Sequence, residues 1–177
     1  MVSKLALGLV LAIALCASTD AIAQTPQNPA PTFADVLVHS RAFNTWSATF
    51  KQQYSIRAFD NIKAAEGSIG YQRPDGIEMF VAGAMRSTPC ASSPKAVFLC
   101  GSQWASRFSV QSFAGSAMNF PSGTVFVLTP ITPTPLVVKI LIYVDTKTLE
   151  VRREMVIDSH ENRDRYDFEN VVTTYWH

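Results

Sequence analysis

The stretch that decides the fold is Leu136–Thr174, LVVKILIYVDTKTLEVRREMVIDSHENRDRYDFENVVTT, near the C-terminus. It contains three strand-like runs, and short segments of turn-forming residues separate them. The runs are Leu136–Val144, Leu149–Asp158 and Arg165–Thr174, with turns at Asp145–Thr148 and Ser159–Asp164. Alternation places every second side chain on one face of a strand, and short turns connect antiparallel neighbours. The stretch therefore predicts a three-stranded antiparallel meander.

The first of these strands is apolar on both faces, which is unusual for an antiparallel strand with one wet side. One face would carry Leu136, Val138, Ile140, Ile142 and Val144, and the other Val137, Lys139, Leu141 and Tyr143. Two structures would explain this: both faces are covered by packing, or one face lines an apolar cavity. The pattern alone favours ordinary core packing, whereas the scarcity of predicted helices favours a cavity.

Upstream, the sequence predicts one helix followed by more strands. Thr32–Phe43 has apolar residues at helical spacing, with Thr32 as its cap and Asp35 three residues later. From Trp46 the period changes to two, which predicts a long strand, and Gly67–Gly83 alternates again around a turn or bulge at Arg73–Gly76. A further strand is predicted at Thr124–Leu128, and the segment 84–123 is not assigned. The fold class is mainly β (α+β).

The first 23 residues have the pattern of a secretory signal peptide. Lys4 precedes the apolar stretch Leu5–Ser18, which is shorter than the ~20 residues of a membrane-spanning helix, and Ala21–Ala23 has the small-x-small form of a cleavage site. A lipoprotein signal at Cys16 is the less favoured alternative, because Leu15 stands where a small residue is needed. The domain prediction is a signal peptide at 1–23, a flexible lead at 24–31 and a single domain at 32–177.

Composition and cysteine content narrow the class of protein. The chain is 47% hydrophobic with a formal net charge of +1, so it has no basic stripe for nucleic acid. After removal of the signal, Cys90 and Cys100 remain, and in an oxidising compartment they most simply form one disulfide. A reactive cysteine pair is the alternative.

Nothing in the sequence indicates catalysis. The histidines His39, His160 and His177 show no metal-ligand spacing, and no nucleophile elbow or phosphate loop is present. The string Cys100–Trp104 has only a chance likeness to a papain-type motif, because Gln103 occupies the nucleophile position. The charged residues between Asp158 and Asp167 fit a solvated hairpin better than a calcium loop. We therefore expect no enzymatic activity, no metal and no cofactor.

Two stretches resemble the LolA family, the periplasmic carriers of outer-membrane lipoproteins. Ala42–Val81 contains AFNTWSATFKQ and GSIGYQRPDGIEMFV, and Thr124–Val172 contains VFVLTP followed by the meander ending in YDFENV. The resemblance implies an incomplete antiparallel β-barrel, plugged by helices, with a hydrophobic cavity for acyl chains. It also implies a periplasmic location, and donor and acceptor proteins at the inner and outer membranes.

The resemblance also implies site residues. Arg73 falls on the family's Arg-Pro position, where the guanidinium bonds to lid carbonyls and holds the cavity shut; a surface Arg before a Pro turn is the alternative. Ile77 and Met79 fall on apolar cavity positions, and Ile69 and Tyr71 share their parity. The predicted cavity residues are Trp46, Phe50, Ile69, Tyr71, Ile77, Met79, Val81, Leu141 and Tyr143.

These features predict a monomeric carrier that binds lipoprotein acyl chains or another lipid and hands them on toward the outer membrane. An interaction or sensor module that binds a peptide or protein partner is the alternative, and an enzyme of unrecognised type is a third class. The segment 84–123 departs from the family pattern, so the cargo can differ from a normal lipoprotein.

Overall fold

The computed structural model describes residues 30–73, 76–81, 84–88, 97–100 and 105–175. The predicted signal peptide, Cys90 and the parts 89–96 and 101–104 of the unassigned middle segment lie outside these ranges. The described part of the chain forms one α-helix, α1 (Phe33–Arg41), and nine β-strands. The strands are β1 (Phe43–Ile56), β2 (Asn61–Gln72), β3 (Gly76–Val81), β4 (Ala84–Thr88), β5 (Phe108–Ala114), β6 (Gly123–Pro130), β7 (Lys139–Asp145), β8 (Val151–Ile157) and β9 (Arg163–Tyr175).

All nine strands belong to one antiparallel sheet in the order β4-β3-β2-β1-β9-β8-β7-β6-β5. Among the described strands, every neighbouring pair is consecutive in the chain except β1 and β9, so the two halves of the chain meet at the centre of the sheet. The end strands β4 and β5 are not paired with each other, and the sheet is therefore not closed. The predicted fold class, a mainly β incomplete barrel with an N-terminal helix, is confirmed.

Helix α1 begins where the sequence predicts, because its cap is complete. The Asp35 amide donates to Thr32 Oγ1 at 3.3 Å, and the Thr32 amide donates to Asp35 Oδ2 at 2.8 Å. This reciprocal arrangement satisfies backbone donors that the first helical turn leaves without partners. Phe33, Val36 and Leu37 are buried on one side of the helix, and the Phe33 ring packs against that of Phe126 at 5.4 Å.

The main core lies on one face of the sheet, which we call the inner face. It carries Trp46, Ala48 and Phe50 of β1, and helix α1 and the buried turn Val97–Cys100 cover it. Gly67 lies opposite Phe50 across β1 and β2, and a Cβ there would stand 2.9 Å from the Phe50 ring. The same Cβ would stand 2.1 Å from the Phe80 carbonyl oxygen, so a side chain at position 67 would displace backbone of β3 as well as this ring.

The opposite, outer face carries a second, smaller apolar cluster. Val125, Leu141 and Tyr143 are buried there, packed against Met118 and Phe120 from the connection between β5 and β6. This cluster explains why the β7 sequence is apolar on both sides: Ile140, Ile142 and Val144 face the main core, and alternate residues face the smaller one.

The predicted start of the β7 strand is wrong. The strand begins at Lys139, and the residues before it form a loop with an isolated bridge between Thr134 and Val137. In that loop Val137 is buried, whereas Leu136 is 78% exposed and Val138 is 38% exposed. The alternation of the strand does not extend through the bridge. Counting every second residue back from Ile140 therefore wrongly places Leu136 on the core side.

The alternating segment Gly67–Gly83 divides into two strands. Arg73 lies in the turn between β2 and β3, and Ile69 pairs with Met79 while Tyr71 pairs with Ile77 across the hairpin.

In the described ranges, no helix has the length and apolarity needed to cross a membrane.

Candidate ligand-binding site on the inner face of the sheet

An aromatic cluster stands at the centre of the inner face. Trp46 contacts both Phe98 and Phe168 with ring centroids 5.5 Å apart, and Phe98 and Phe168 lie 5.9 Å apart. Edge-to-face contacts of this kind stabilise aromatic packing beyond the area buried. Phe98 comes from the turn 97–100, so a segment outside the sheet supplies one wall of the cluster.

A pocket of about 230 Å³ opens beside this cluster, between the end of α1, the β7–β8 turn and the last residues of β9. Its floor contains Trp46 and Phe98, and Val151 and Val171 contribute aliphatic surface. Polar residues stand among the lining residues, which are His39, Ser40, Phe43, Trp46, Phe98, Thr148, Leu149, Glu150, Val151, Val171, Thr173 and Tyr175. The surface that lines this pocket is more polar than apolar, and its apolar part is the aromatic and aliphatic floor.

A bulge in β9 turns its last residues toward this pocket. Asn170 has a positive φ of 52°, and the register with β1 shifts between Ser47 and Thr49. Before the bulge, Tyr166 and Phe168 face the core; after it, Val171, Thr173 and Tyr175 line the pocket. One extra residue in a strand inverts which parity faces inward.

His39 is the titratable group that burial affects most clearly in the pocket. Partial burial lowers the pKa of the His39 imidazole, and the Glu150 carboxylate opposes this by attracting the protonated form. The ring also stands edge-on to Phe43, with centroids 5.0 Å apart. The neutral imidazole is therefore the form that this environment favours.

Six of the predicted cavity residues lie together on the inner face. Five are buried in the main core and Met79 packs against it; the six are Trp46, Phe50, Ile69, Tyr71, Ile77 and Met79. Val81 is in β3, and its side chain lies outside the described part of the structure. Of the six, only Trp46 reaches the pocket beside α1.

Two predicted cavity residues do not join this group. Leu141 and Tyr143 belong to the outer-face cluster with Val125, so they cannot line a space on the inner face. The predicted orientation of β7 is wrong. Both faces of this strand are apolar, so the sequence does not show which of them is directed toward the main core. Phe98 and Phe168 were not predicted, since Phe98 lies in the unassigned segment and Phe168 sits in a charged, alternating strand.

The predicted latch residue, Arg73, follows β2 at the same end of the sheet as the pocket. Its amide donates to the Asn44 carbonyl at 3.3 Å, which fixes the start of the turn. Its Nε atom is buried and has no hydrogen-bond partner among the described residues. A buried guanidinium nitrogen without an acceptor is costly, so an added carbonyl or carboxylate oxygen at this position would be stabilised.

A polar cluster limits the apolar inner face at its far end. Gln52 Nε2 donates to Asp164 Oδ1 at 2.6 Å, and the Tyr166 hydroxyl donates to Asp164 Oδ2 at 3.0 Å. Burial and the adjacent Asp164 carboxylate raise the pKa of Tyr166, so the phenol stays protonated. Glu154, fully buried on β8, lies opposite Tyr166. No sequence pattern indicated this cluster, although Gln52 has the same parity as Trp46.

The groups that line the pocket can contact a bound molecule. Among the described residues, no group of three or more His, Cys, Asp or Glu side chains could hold a metal ion. The pocket itself supplies apolar contact, one imidazole and a few hydroxyl and carboxylate oxygens.

No protein-family model matches this chain, and no curated protein matches it in sequence. Among solved structures, it is similar to MucB of Pseudomonas aeruginosa in complex with MucA, with 13% identity, 80% of this chain and 56% of that chain covered, and a TM-score of 0.37. The chain thus spans about half the length of MucB. A LolA superfamily protein from Nitrosomonas europaea shares 6% identity over 84% of this chain and 96% of its own, with a TM-score of 0.35.

A third similar structure is an outer membrane lipoprotein-sorting protein domain from Vibrio parahaemolyticus. It shares 7% identity, covers 80% of this chain and 91% of its own, and has a TM-score of 0.34. The similar structures include LolA-type proteins, the family that the sequence resembles. Identities and TM-scores this low transfer no function to the chain.

Proposed function

We propose that the protein is a periplasmic carrier that binds an acyl chain of a lipoprotein, or another lipid, against the inner face and hands it on toward the outer membrane. The observation that carries this proposal is the pocket beside α1, whose floor of Trp46 and Phe98 joins the main apolar core directly. No catalytic role is assigned to the site.

The size of the pocket limits how a lipid can bind. At about 230 Å³ it is smaller than the ~300–1,000 Å³ of most ligand pockets, so it accepts the end of a chain and not a whole lipid. Each methylene removed from water contributes ~0.8 kcal/mol. Deeper insertion requires Phe98 and the turn 97–100 to move aside, because they occupy the centre of the inner face.

This competition suits a carrier, which must release what it binds. A bound lipid would contact the core in place of Phe98, and the contacts that Phe98 makes in the empty protein would be lost. The net affinity therefore stays moderate. Arg73 is proposed to hold the closed form through its guanidinium, of which the Nε atom is buried. Opening then costs free energy, which favours transfer to a tighter acceptor.

Native mass spectrometry and lipid extraction of the protein from its own cells test the proposal. We expect bound lipid on the wild type and on Val172→Asp, and little on Val171→Asp. Val171 lines the pocket, whereas its neighbour Val172 is 61% exposed, so the pair differs in position and not in chemistry. Wild-type protein without lipid, or equal loss in both variants, would contradict a carrier.

A partner-binding module is the second candidate, and a groove on the outer face favours it. This groove, of about 360 Å³, crosses β1, β2 and β3, and the exposed side chains of Phe80 and Met85 border it. Gly70 leaves open space in its floor. Protein that is recovered lipid-free but with a bound polypeptide would support this candidate over the carrier.

Export and the disulfide belong to the same proposal. Cleavage after Ala23 would give a mature chain beginning at Gln24, which intact-mass measurement can detect.

Cys100 is buried at 6% exposure, and its predicted partner Cys90 lies outside the described residues. A mass increase on alkylation that occurs only after reduction would establish the Cys90–Cys100 bond.

A further inference from the structure

The edge strand β5 is exposed on both of its faces. Six consecutive residues, from Ser109 to the end of the strand, are exposed. Val110, at 40% exposure, lies opposite Leu128 of the main core. Phe113, at 43% exposure, lies opposite Val125 of the outer-face cluster. A further strand beside β5 would therefore extend the sheet and cover apolar surface on both faces.

Alternate residues of β5 direct their backbone groups away from β6. In an antiparallel pair, the N–H and C=O groups of one residue point to the same neighbouring strand, and those of the next residue point the other way. The Ile131 amide donates to the Arg107 carbonyl at 2.9 Å, in the register of the β5–β6 pairs. Gln111 therefore directs its backbone groups toward β6. Val110 and Ser112 direct theirs toward the side on which no other described strand lies.

The sequence of β5, FSVQSFA, is self-complementary when two copies lie antiparallel. Its seven residues overlap completely when Gln111 stands opposite Gln111 of the second copy. Val110 then stands opposite Ser112, and Phe113 stands opposite Ser109, so a large side chain meets a small one in each of these pairs. The backbone groups of Val110 and Ser112 both point outward, so in this register the two residues donate to and accept from each other.

The other edge strand of the described sheet, β4, does not have this property. Its middle residue is Arg86, which is exposed. The same symmetric pairing of β4 would place two arginines directly opposite each other, and like charges in that position destabilise a strand pair. β5 contains no charged residue. Charge and side-chain size therefore favour β5 as the edge that fits a second copy of the chain.

We infer that β5 pairs with β5 of a second copy of this chain, antiparallel and about a two-fold axis at Gln111, so that the two sheets become continuous. Each copy offers one such edge, so the assembly stops at a dimer. Because one short strand from each copy forms the contact, the dimer dissociates on dilution, and the monomer that the sequence predicts is the dilute form. The residues that line the pocket beside α1 lie outside β5, so this inference goes beyond the proposed carrier function and does not depend on it.

Sedimentation equilibrium over a range of protein concentrations tests the inference, and the wild type should form a dimer as the concentration rises. Ser112→Pro removes a donor that faces the second copy and leaves the bonds to β6 in place. Two cross-strand bonds are lost in each dimer, so the dissociation constant should rise by about thirtyfold or more. The matched control is Ser112→Ala, which keeps the amide and should dimerise as the wild type does.

Gln111→Lys and Gln111→Glu test the position of the axis, and they decide the matter if the proline variant does not fold. Each variant alone places two like charges opposite each other, so its dimer should be about fivefold weaker than that of the wild type. An equimolar mixture of the two should regain dimers, because a lysine then stands opposite a glutamate. The same two changes at Gln53, an exposed residue of the interior strand β1, are the control and should leave dimerisation unchanged.

Three results would overturn the inference: a wild type that stays monomeric at every concentration, Gln111 variants that dimerise as the wild type does, or a mixture of them that regains no dimer. Amide exchange followed by NMR gives a second readout. Raising the concentration of the wild type should protect the amides of Val110 and Ser112 and leave that of Gln111 unchanged. Intact mass must first establish the N-terminus, because the apolar residues 5–18 would associate by themselves.

Discussion

Trp46 shows how one residue connects the fold to the candidate site. It lies on the central strand β1, is 3% exposed, and contacts Phe98 on one side and Phe168 on the other. The same indole forms part of the pocket floor. A change in the position of Phe98 is therefore transmitted to the pocket through direct ring contacts.

Arg73→Leu tests the latch at the residue scale. Hydrogen bonds to charged groups contribute ~1.5–3 kcal/mol, so loss of the proposed bonds between Arg73 and lid carbonyls should weaken closure and impair lipid transfer to acceptor vesicles by about tenfold or more. The rate of transfer of a fluorescent fatty acid measures this. Arg86→Leu, an exposed arginine on β4, is the control. Loading and transfer that both match the wild type would remove the latch role.

The partly buried environment of His39 predicts that the stability of the protein depends on pH. Its pKa in the folded protein lies below the ordinary value of ~6.5 because burial disfavours the charged ring. Below pH ~6.5 the unfolded chain binds more protons than the folded protein does. The stability that comes from keeping the His39 imidazole neutral is therefore lost on acidification. The urea midpoint of His39→Gln should decline less between about pH 7.5 and pH 5.5 than that of the wild type.

His160→Gln, in the exposed turn between β8 and β9, is the control for this measurement. The predicted effect belongs to the buried environment of His39 and not to histidine content. If the two variants decline in parallel with the wild type, burial of His39 does not control this part of the pH dependence.

At the scale of elements, helix α1 is held at its start by a side-chain cap and along one side by the core. Phe33, Val36 and Leu37 cover part of the inner face, so fraying of α1 would expose the main core. Most helical stability in proteins of this kind comes from such packing, but a short helix also depends on its cap.

Thr32→Ala should therefore destabilise the protein by ~0.5–2 kcal/mol, because it removes the acceptor for the Asp35 amide. Chemical denaturation followed by circular dichroism measures the change in the free energy of unfolding. Thr32→Ser keeps the hydroxyl and should restore most of the stability. An alanine variant as stable as the wild type would mean that the cap contributes nothing.

At the scale of the whole molecule, the sheet formed by the described residues has two edge strands, β4 and β5. The edge strand β5 has the sequence FSVQSFA without a charge or proline, and Val110 and Phe113 are 40% and 43% exposed. Natural proteins commonly protect such edges with lysine or proline because backbone donors and acceptors there can pair with another chain. The edge β4 carries Arg86.

Gln111→Lys at the centre of β5 should slow aggregation during heating without changing the melting temperature appreciably, since the side chain is exposed. Light scattering at matched protein concentration measures this. Gln53→Lys adds the same charge on the interior strand β1 and is the control. Equal protection by both variants would attribute the effect to net charge instead of the edge.

The sequence by itself determined the strands of the C-terminal meander, the capped helix and the inward residues of β1 to β3, because these depend on local periodicity and capping. It could not determine the outer-face position of Leu141 and Tyr143, since a strand apolar on both sides carries no parity signal. Nor could it locate the pocket beside α1, which depends on the β9 bulge at Asn170 and on Phe98 arriving from the unassigned segment. The exposure of Leu136 likewise follows from a loop bridge that alternation does not encode. Contacts between residues distant in the chain decide these features, and only the tertiary structure contains them.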